Sequence, residues 1–148
     1  MTNTTIVVAS DHRGVILRNS ILEYLKTLNI QTINLGPQSA EEKTDYPLIA
    51  EKTCQLILQN NATYGILICN TGIGMSITAN RFKGIRAALC YNHEHAELAK
   101  KHNNANILIF GSNYIKTEEA ISAIKKFLES IFEKGRHAKR VKMIDSIR

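Results

Sequence analysis

The stretch Gly65-Ile66-Leu67-Ile68-Cys69-Asn70-Thr71-Gly72-Ile73-Gly74 decides how this chain folds. Its first half is a continuous apolar run of strand length, the pattern of a strand covered on both faces. Its second half is a turn punctuated by two glycines. Four further runs lie on either side of it: Ile6-Val7-Val8-Ala9, Thr32-Ile33-Asn34-Leu35 (stopped by Gly36-Pro37), Ala87-Ala88-Leu89-Cys90 and Ile107-Leu108-Ile109-Phe110. Helical spacing fills the gaps. Ile16, Ile21, Leu22, Leu25 and Leu28 make one apolar face, and Ile49, Ala50, Cys54, Ile57 and Leu58 a second. A short polar piece runs from His95 to Lys101, and Glu118 to Phe132 carries Ile121, Ile124, Phe127, Leu128 and Ile131. This alternation predicts an α/β chain: a doubly wound, five-stranded parallel sheet with helices on both sides. No linker or repeat interrupts it, so residues 1–148 read as one domain, with a basic helical appendage over 136–148 whose helix-like core is Ala138 to Ile147.

Composition narrows the function classes. The chain has 148 residues, 44% apolar and 22% charged, which suits a globular domain with an ordinary core. No apolar run nears the roughly 20 residues of a membrane helix, so no membrane partner is expected. Met1-Thr2-Asn3-Thr4-Thr5 lacks a charged n-region, so no leader is expected either. Cys54, Cys69 and Cys90 are odd in number and widely spaced, a poor disulfide framework that predicts free thiols in a reducing cytoplasm. The net charge is +6, and the excess gathers at the end: Lys134, Arg136, Lys139, Arg140, Lys142 and Arg148 face a single Asp145. Such a tail reads as a nucleic-acid footprint or as an anion site for a phosphorylated small molecule. A nucleic-acid module is the weaker reading, because no aromatic stacking motif accompanies the basic residues.

In doubly wound folds ligands gather beyond the carboxyl ends of the strands. The segments expected there are Ser10-Asp11-His12-Arg13-Gly14, Cys69 to Ser76, Tyr91 to His95, and Gly111-Ser112-Asn113. Gly72 and Gly74 let the strand turn sharply into a helix and leave backbone N–H groups free for a phosphate or an oxyanion. No Lys followed by Ser or Thr makes it a P-loop, and Ile77 stands where a dinucleotide fingerprint needs its third glycine. Thiols at helix N-termini ionise readily, so Cys69 is a candidate base or nucleophile, whereas Cys54 and Cys90 read as core residues. Asp11 is either a helix cap or a polar contact, with His12 as an anion contact. His102-Asn103-Asn104 is either a helix end or the place of a proton-exchanging His. Arg136 and Arg140, four apart, share a helical face and can clamp a phosphate. Cys90, His93 and His95 do not have a familiar zinc spacing, so no metal is expected.

Five motifs together resemble ribose-5-phosphate isomerase type B, of the ribose/galactose isomerase superfamily. They are Ser10-Asp11-His12-Arg13-Gly14, Thr44-Asp45-Tyr46-Pro47, Cys69-Asn70-Thr71-Gly72-Ile73-Gly74, His102-Asn103 and Gly135-Arg136-His137-x-x-Arg140. The resemblance runs nearly end to end, with the motifs in order. It implies a three-layer α/β/α, Rossmann-like domain that forms a homodimer, often paired into a tetramer, with the site between two subunits. It implies interconversion of ribose 5-phosphate and ribulose 5-phosphate without a cofactor. By the same resemblance Cys69 is the base, His102 opens the sugar ring with Thr71 nearby, and N–H groups of Asn70, Gly72, Ile73 and Gly74 hold the enediolate. His12, Arg136 and Arg140 bind phosphate, and Asp11, Tyr46 and Asn103 contact hydroxyls. Asn70 stands where the family often has Gly, and Asn113 where it commonly has a phosphate-binding Arg. The alternatives are a six-carbon sugar phosphate as substrate, allose 6-phosphate or galactose 6-phosphate, and a non-catalytic module that binds a sugar phosphate or nucleic acid.

Overall fold

The computed structural model describes residues 3–147; Met1, Thr2 and Arg148, the last of the basic tail, lie outside the described residues. Five strands, β1 (Thr5–Ser10), β2 (Gln31–Leu35), β3 (Tyr64–Cys69), β4 (Ala87–Leu89) and β5 (Ile107–Gly111), form one sheet in the order β2-β1-β3-β5-β4. Every pairing is parallel, with Val8 beside Asn34 and Ile66, and Ile66 beside Leu108. Six helices accompany it: α1 (Val15–Thr27), α2 (Tyr46–Leu58), α3 (Ile73–Ala79), α4 (His93–Asn103), α5 (Thr117–Glu129) and α6 (Arg136–Asp145).

The period-two geometry of strands explains the two cores. Ile6, Val8, Ile66, Ile68, Leu108 and Phe110 point to one face and pack with α1, α4 and α5. Val7, Ala9, Leu67, Cys69, Ile107 and Ile109 point to the other and pack with α2 and α3. Both faces being covered is why the strands are apolar without alternation. Each fully buried aliphatic side chain contributes about 1.5–3 kcal/mol relative to exposure.

Several boundaries differ from the sequence reading. The short polar helix is longer, because Asn92 caps it by accepting the His95 N–H (2.9 Å). The fifth helix stops at Glu129 rather than Phe132: Ser130 is extended, its hydroxyl donates to the Lys126 carbonyl, and Ile131 is 81% exposed. The last helix starts at Arg136, two residues before Ala138, and ends at Asp145 instead of Ile147. In α1 it is Leu17 that turns inward while Ile16 is 77% exposed. The sheet order reverses direction at β1, so the ends of β1 and β3 open the crevice that the doubly wound rule assigns to a ligand.

Candidate active site

The carboxyl ends of β1, β3 and β5 are tied together by main-chain bonds. Asp11 N–H donates to the Ile68 carbonyl (3.2 Å), Ser112 N–H to Cys69 (2.8 Å) and Asn113 N–H to Asn70 (3.1 Å). The Ser112 hydroxyl donates to the Arg13 carbonyl (3.0 Å). Gly111 has no room for a side chain: a Cβ there would lie 2.4 Å from the Thr71 carbonyl oxygen. Gly72 begins α3 in the left-handed region (φ +79°), which a β-carbon disfavours.

Within this frame Cys69 is buried at the foot of the turn. Gly72 N–H donates to its Sγ (3.2 Å), a contact that strengthens with an ionised acceptor. Ile73 N–H is taken by the Thr71 hydroxyl (3.2 Å), so two of the turn's donors are already occupied. Burial pushes the Cys54 and Cys90 thiols up to about 12, which fits their reading as core residues. Tyr46, at the first position of α2, lies against Gly74; a Cβ on Gly74 would meet its ring.

Asp11 accepts the Arg13 N–H (2.9 Å) and thereby starts the single 3-10 turn of His12–Gly14. Burial outweighs that bond and raises its carboxyl above the ordinary range. His12 Nδ1 accepts the Thr44 N–H (3.3 Å), which leaves Nε2 as the ring's proton-bearing nitrogen when the imidazole is neutral. Arg13, Asn70 and Asn113 line one cleft of about 280 Å³.

Asp11, His12, Tyr46, Cys69, Asn70, Thr71, Gly72, Ile73 and Gly74 therefore share one edge of the sheet. His102, Asn103, Arg136 and Arg140 do not. Helix α4 runs back along the sheet, so its C-terminus reaches the start of β4, where Arg86 Nε donates to the Asn103 carbonyl (3.0 Å). Helix α6 packs there as well, held by the Arg86–Asp145 ion pair (3.0 Å to each carboxylate oxygen) and by His137 stacked on His102 (centroids 4.2 Å apart, 7° between planes). His137 and Val141 face inward, while Arg136 and Arg140 are exposed on the same outer side. Six residues of β3 separate the two edges, about 17 Å at the rise of a strand.

Cys90, His93 and His95 do not converge: His93 pairs with Glu119 (2.7 Å), and the His95 ring takes the Tyr91 N–H. Arg18 and Glu133 escaped the sequence reading, and His137 stood there in a motif without a role. Arg18 is 2% exposed and donates to Ser10 Oγ and to the Leu35 and Pro37 carbonyls, fastening the loop after β2 to the end of β1. Glu133 and His137 flank His102; their i,i+4 spacing beside a motif histidine was the available signal.

A parallel α/β sheet with a glycine-turned cradle beside a thiol at its switch point defines a small-molecule enzyme of the doubly wound class. Residues 6–144 match the Ribose/Galactose Isomerase family, and the chain belongs to that family. It is similar to ribose-5-phosphate isomerase B of Escherichia coli, with 39% identity covering 96% of this chain and 95% of that one. The crystal structure of a ribose 5-phosphate isomerase from Thermotoga maritima superposes with a TM-score of 0.94 at 45% identity, covering 98% and 99% of the two chains. Ribose-5-phosphate isomerase B of Mycoplasma genitalium, crystallised with bound ribulose-5-phosphate, superposes with a TM-score of 0.93 at 38% identity, covering 98% and 96%.

Proposed function

We propose that this chain interconverts ribose 5-phosphate and ribulose 5-phosphate through a cis-enediolate, with Cys69 as the base. The observation that carries the reading is Cys69, whose sulfur accepts the Gly72 N–H and whose carbonyl accepts the Ser112 N–H, beside the donors of a glycine turn. The relatives' shared substrate, together with likeness along nearly the whole chain, supports the same sugar here.

A proton next to a carbonyl is weakly acidic, so the barrier falls chiefly by stabilising the oxyanion; one lost donor in comparable sites costs about 3–4 kcal/mol. His102 opens the furanose by moving a proton to the ring oxygen and taking one from the C1 hydroxyl, with Thr71 nearby. The Cys69 thiolate then removes the C2 proton of the aldehyde and returns it to C1. As the C2 hydroxyl loses its proton and O1 gains one, N–H groups of Asn70 to Gly74 hold the charge, those of Gly72 and Ile73 by exchanging Cys69 Sγ and the Thr71 hydroxyl for the oxyanion. His12, Arg136 and Arg140 bind the phosphate, and Asp11, Tyr46 and Asn103 fix the hydroxyls. Phosphate binding, remote from C1 and C2, orients the reacting carbons. The exchange is redox-neutral within one substrate and uses no cofactor.

Because Cys69 and His102 stand at opposite edges, one site takes its turn from one copy and α4–α6 from another, in a homodimer with two sites. Leu48, Ile73 and Ile77, exposed on the adjoining helices α2 and α3, support an apolar surface that a second copy covers. Free thiols suit a reducing cytoplasm. The test is direct. Chelator-treated protein should convert ribose 5-phosphate to ribulose 5-phosphate and act less well on allose 6-phosphate or galactose 6-phosphate. Cys69→Ala should bind substrate yet lose the exchange of the C2 proton with solvent by about 10²–10⁴-fold, the worth of a positioned base. Appreciable exchange by that variant removes Cys69 from the role.

A further inference from the structure

We propose that His102, Glu133 and His137 form a binding site for a zinc-class divalent ion, and that an ion bound there inhibits the enzyme by occupying His102. The inhibition rests on the ring-opening role given to His102 above; the binding does not.

The donor atoms lie close together, on two rings stacked in nearly parallel planes. His102 Nε2 and His137 Nε2 each lie 3.7 Å from Glu133 Oε2, and the three ligand atoms fall within 4.8 Å of one another. Two histidines and a glutamate are a known zinc donor set whose fourth position stays open for water. Ligands at 2.0–2.2 Å on a tetrahedral ion stand about 3.4 Å apart, so closure needs a few tenths of an ångström at the carboxylate and a tilt of one ring out of the stack.

The ligand atoms are also uncommitted. At 3.7 Å neither imidazole is hydrogen-bonded to Glu133, and neither ring has another hydrogen-bond partner among the described residues. The backbone is set in advance: Glu133 N–H donates to the Lys101 carbonyl (3.0 Å) and so joins the approach to α6 onto α4. Glu133 is half-exposed, which leaves an entry path from solvent, whereas His137 is buried beneath it.

Such an ion removes both uses of His102. Its Nε2 lone pair goes to the metal, so the ring no longer exchanges protons, and the imidazole is fixed towards Glu133. The enzyme is then active when metal-free and silenced by zinc in a way that a chelator reverses.

The experiment titrates Co²⁺ and then Zn²⁺ into chelator-treated wild-type protein, Glu133→Gln and His137→Ala, with metal-free melting curves to confirm that each variant is folded. Wild type should develop the intense visible bands of tetrahedral cobalt, lose them to zinc, and melt at a higher temperature with zinc present. Either variant should bind at least about 100-fold more weakly, beyond the 10–100-fold that loss of an outer-shell partner costs. The zinc concentration that halves turnover should rise by the same factor in each variant. Equal binding by all three proteins overturns the site. Full turnover by zinc-saturated wild type overturns the inhibition and counts against His102 as the ring-opening group, while leaving the ion's binding intact.

Discussion

The two edges of the sheet hold their functional residues by different means. At the carboxyl edge the main chain does the holding: Ile68, Cys69 and Asn70 carbonyls accept N–H groups from neighbouring segments, and Gly111 presses against Thr71 closely enough to exclude a methyl group. At the amino edge side chains do most of it, beside one main-chain bond from the Glu133 N–H to the Lys101 carbonyl. His102 stacks on His137, Arg86 grips Asp145, and Arg136 and Arg140 project from α6 into solvent. The contrast matches the two tasks proposed for these edges. Proton transfer tolerates little misplacement, and a frame with few soft torsions suits the proposed base and oxyanion donors. A phosphate presents three equivalent oxygens and a long-range charge, so flexible guanidinium groups would suffice to capture it. The edges lie too far apart within one chain to meet on one sugar, and the comparison therefore turns on whether they meet between chains.

The sharpest way to break it uses two inactive proteins. Cys69→Ala spoils only the carboxyl edge and His102→Ala only the amino edge. Each alone should fall about 10²–10⁴-fold in turnover. Mixed by unfolding and refolding at equal amounts, they should regain about a quarter of wild-type activity, because half the dimers are mixed and one of their two sites is intact. No recovery, with mixed dimers demonstrated by mass, would mean that both residues act from the same chain.

A second change probes the rigid edge. Gly111→Ala places a methyl group against the Thr71 carbonyl, so the turn must shift. It should cost about 1–3 kcal/mol of stability, the range for overpacked sites, and lower kcat more than it raises KM. An unchanged kcat with lowered stability would show that the turn is less critical to chemistry than its packing suggests.

Third comes the soft edge. Arg136→Ala or Arg140→Ala should raise KM roughly tenfold or more, the worth of one charge-assisted hydrogen bond, with stability nearly unchanged because both side chains are exposed. Lys139→Ala, one position before Arg140, is the control and should move neither constant. A fall in kcat at constant KM would place the arginines with the reacting carbons rather than with the phosphate.

The same contrast explains what could be read from the sequence. Strands β1, β3 and β5 were legible because burial on both faces demands unbroken apolar runs, and the carboxyl-edge residues were legible because each follows its strand directly. Asp11 and Cys69 needed only the doubly wound rule to be brought together. His102 was nominated by its place at a helix end and Arg136 and Arg140 by their spacing, Asn103 by resemblance alone, and their separation from Cys69 became visible only once α4 and α6 were placed. Arg18 was invisible for another reason. Its residue type normally faces solvent, and nothing local announces that it is buried against three oxygen acceptors. Ile16 and Ile131 misled in the opposite sense, as apolar residues that the fold leaves exposed.

The smallest expected effect separates stability from function at Asp11. Its carboxyl is raised above the ordinary value of 3.8, with desolvation outweighing the Arg13 N–H bond. The folded state thus binds this proton more tightly than the unfolded chain does, and stability falls as pH rises from the unfolded value through the raised one. At neutral pH the ionised Asp11 is a net cost to the fold. Asn in its place keeps an Oδ1 to accept the Arg13 N–H and carries no charge. Asp11→Asn should therefore melt higher at pH 7 by no more than roughly 2–4 °C, the shift about 1 kcal/mol gives in a chain of this size. The gain should fade as pH falls through the raised value, where the native carboxyl takes up its proton. KM should rise, since an amide is a poorer acceptor for a sugar hydroxyl than a carboxylate. A variant that melts lower at pH 7 would show that a charge-specific partner compensates the burial, and Asp11 would then belong to the rigid frame as a structural anchor rather than to the site as a strained contact.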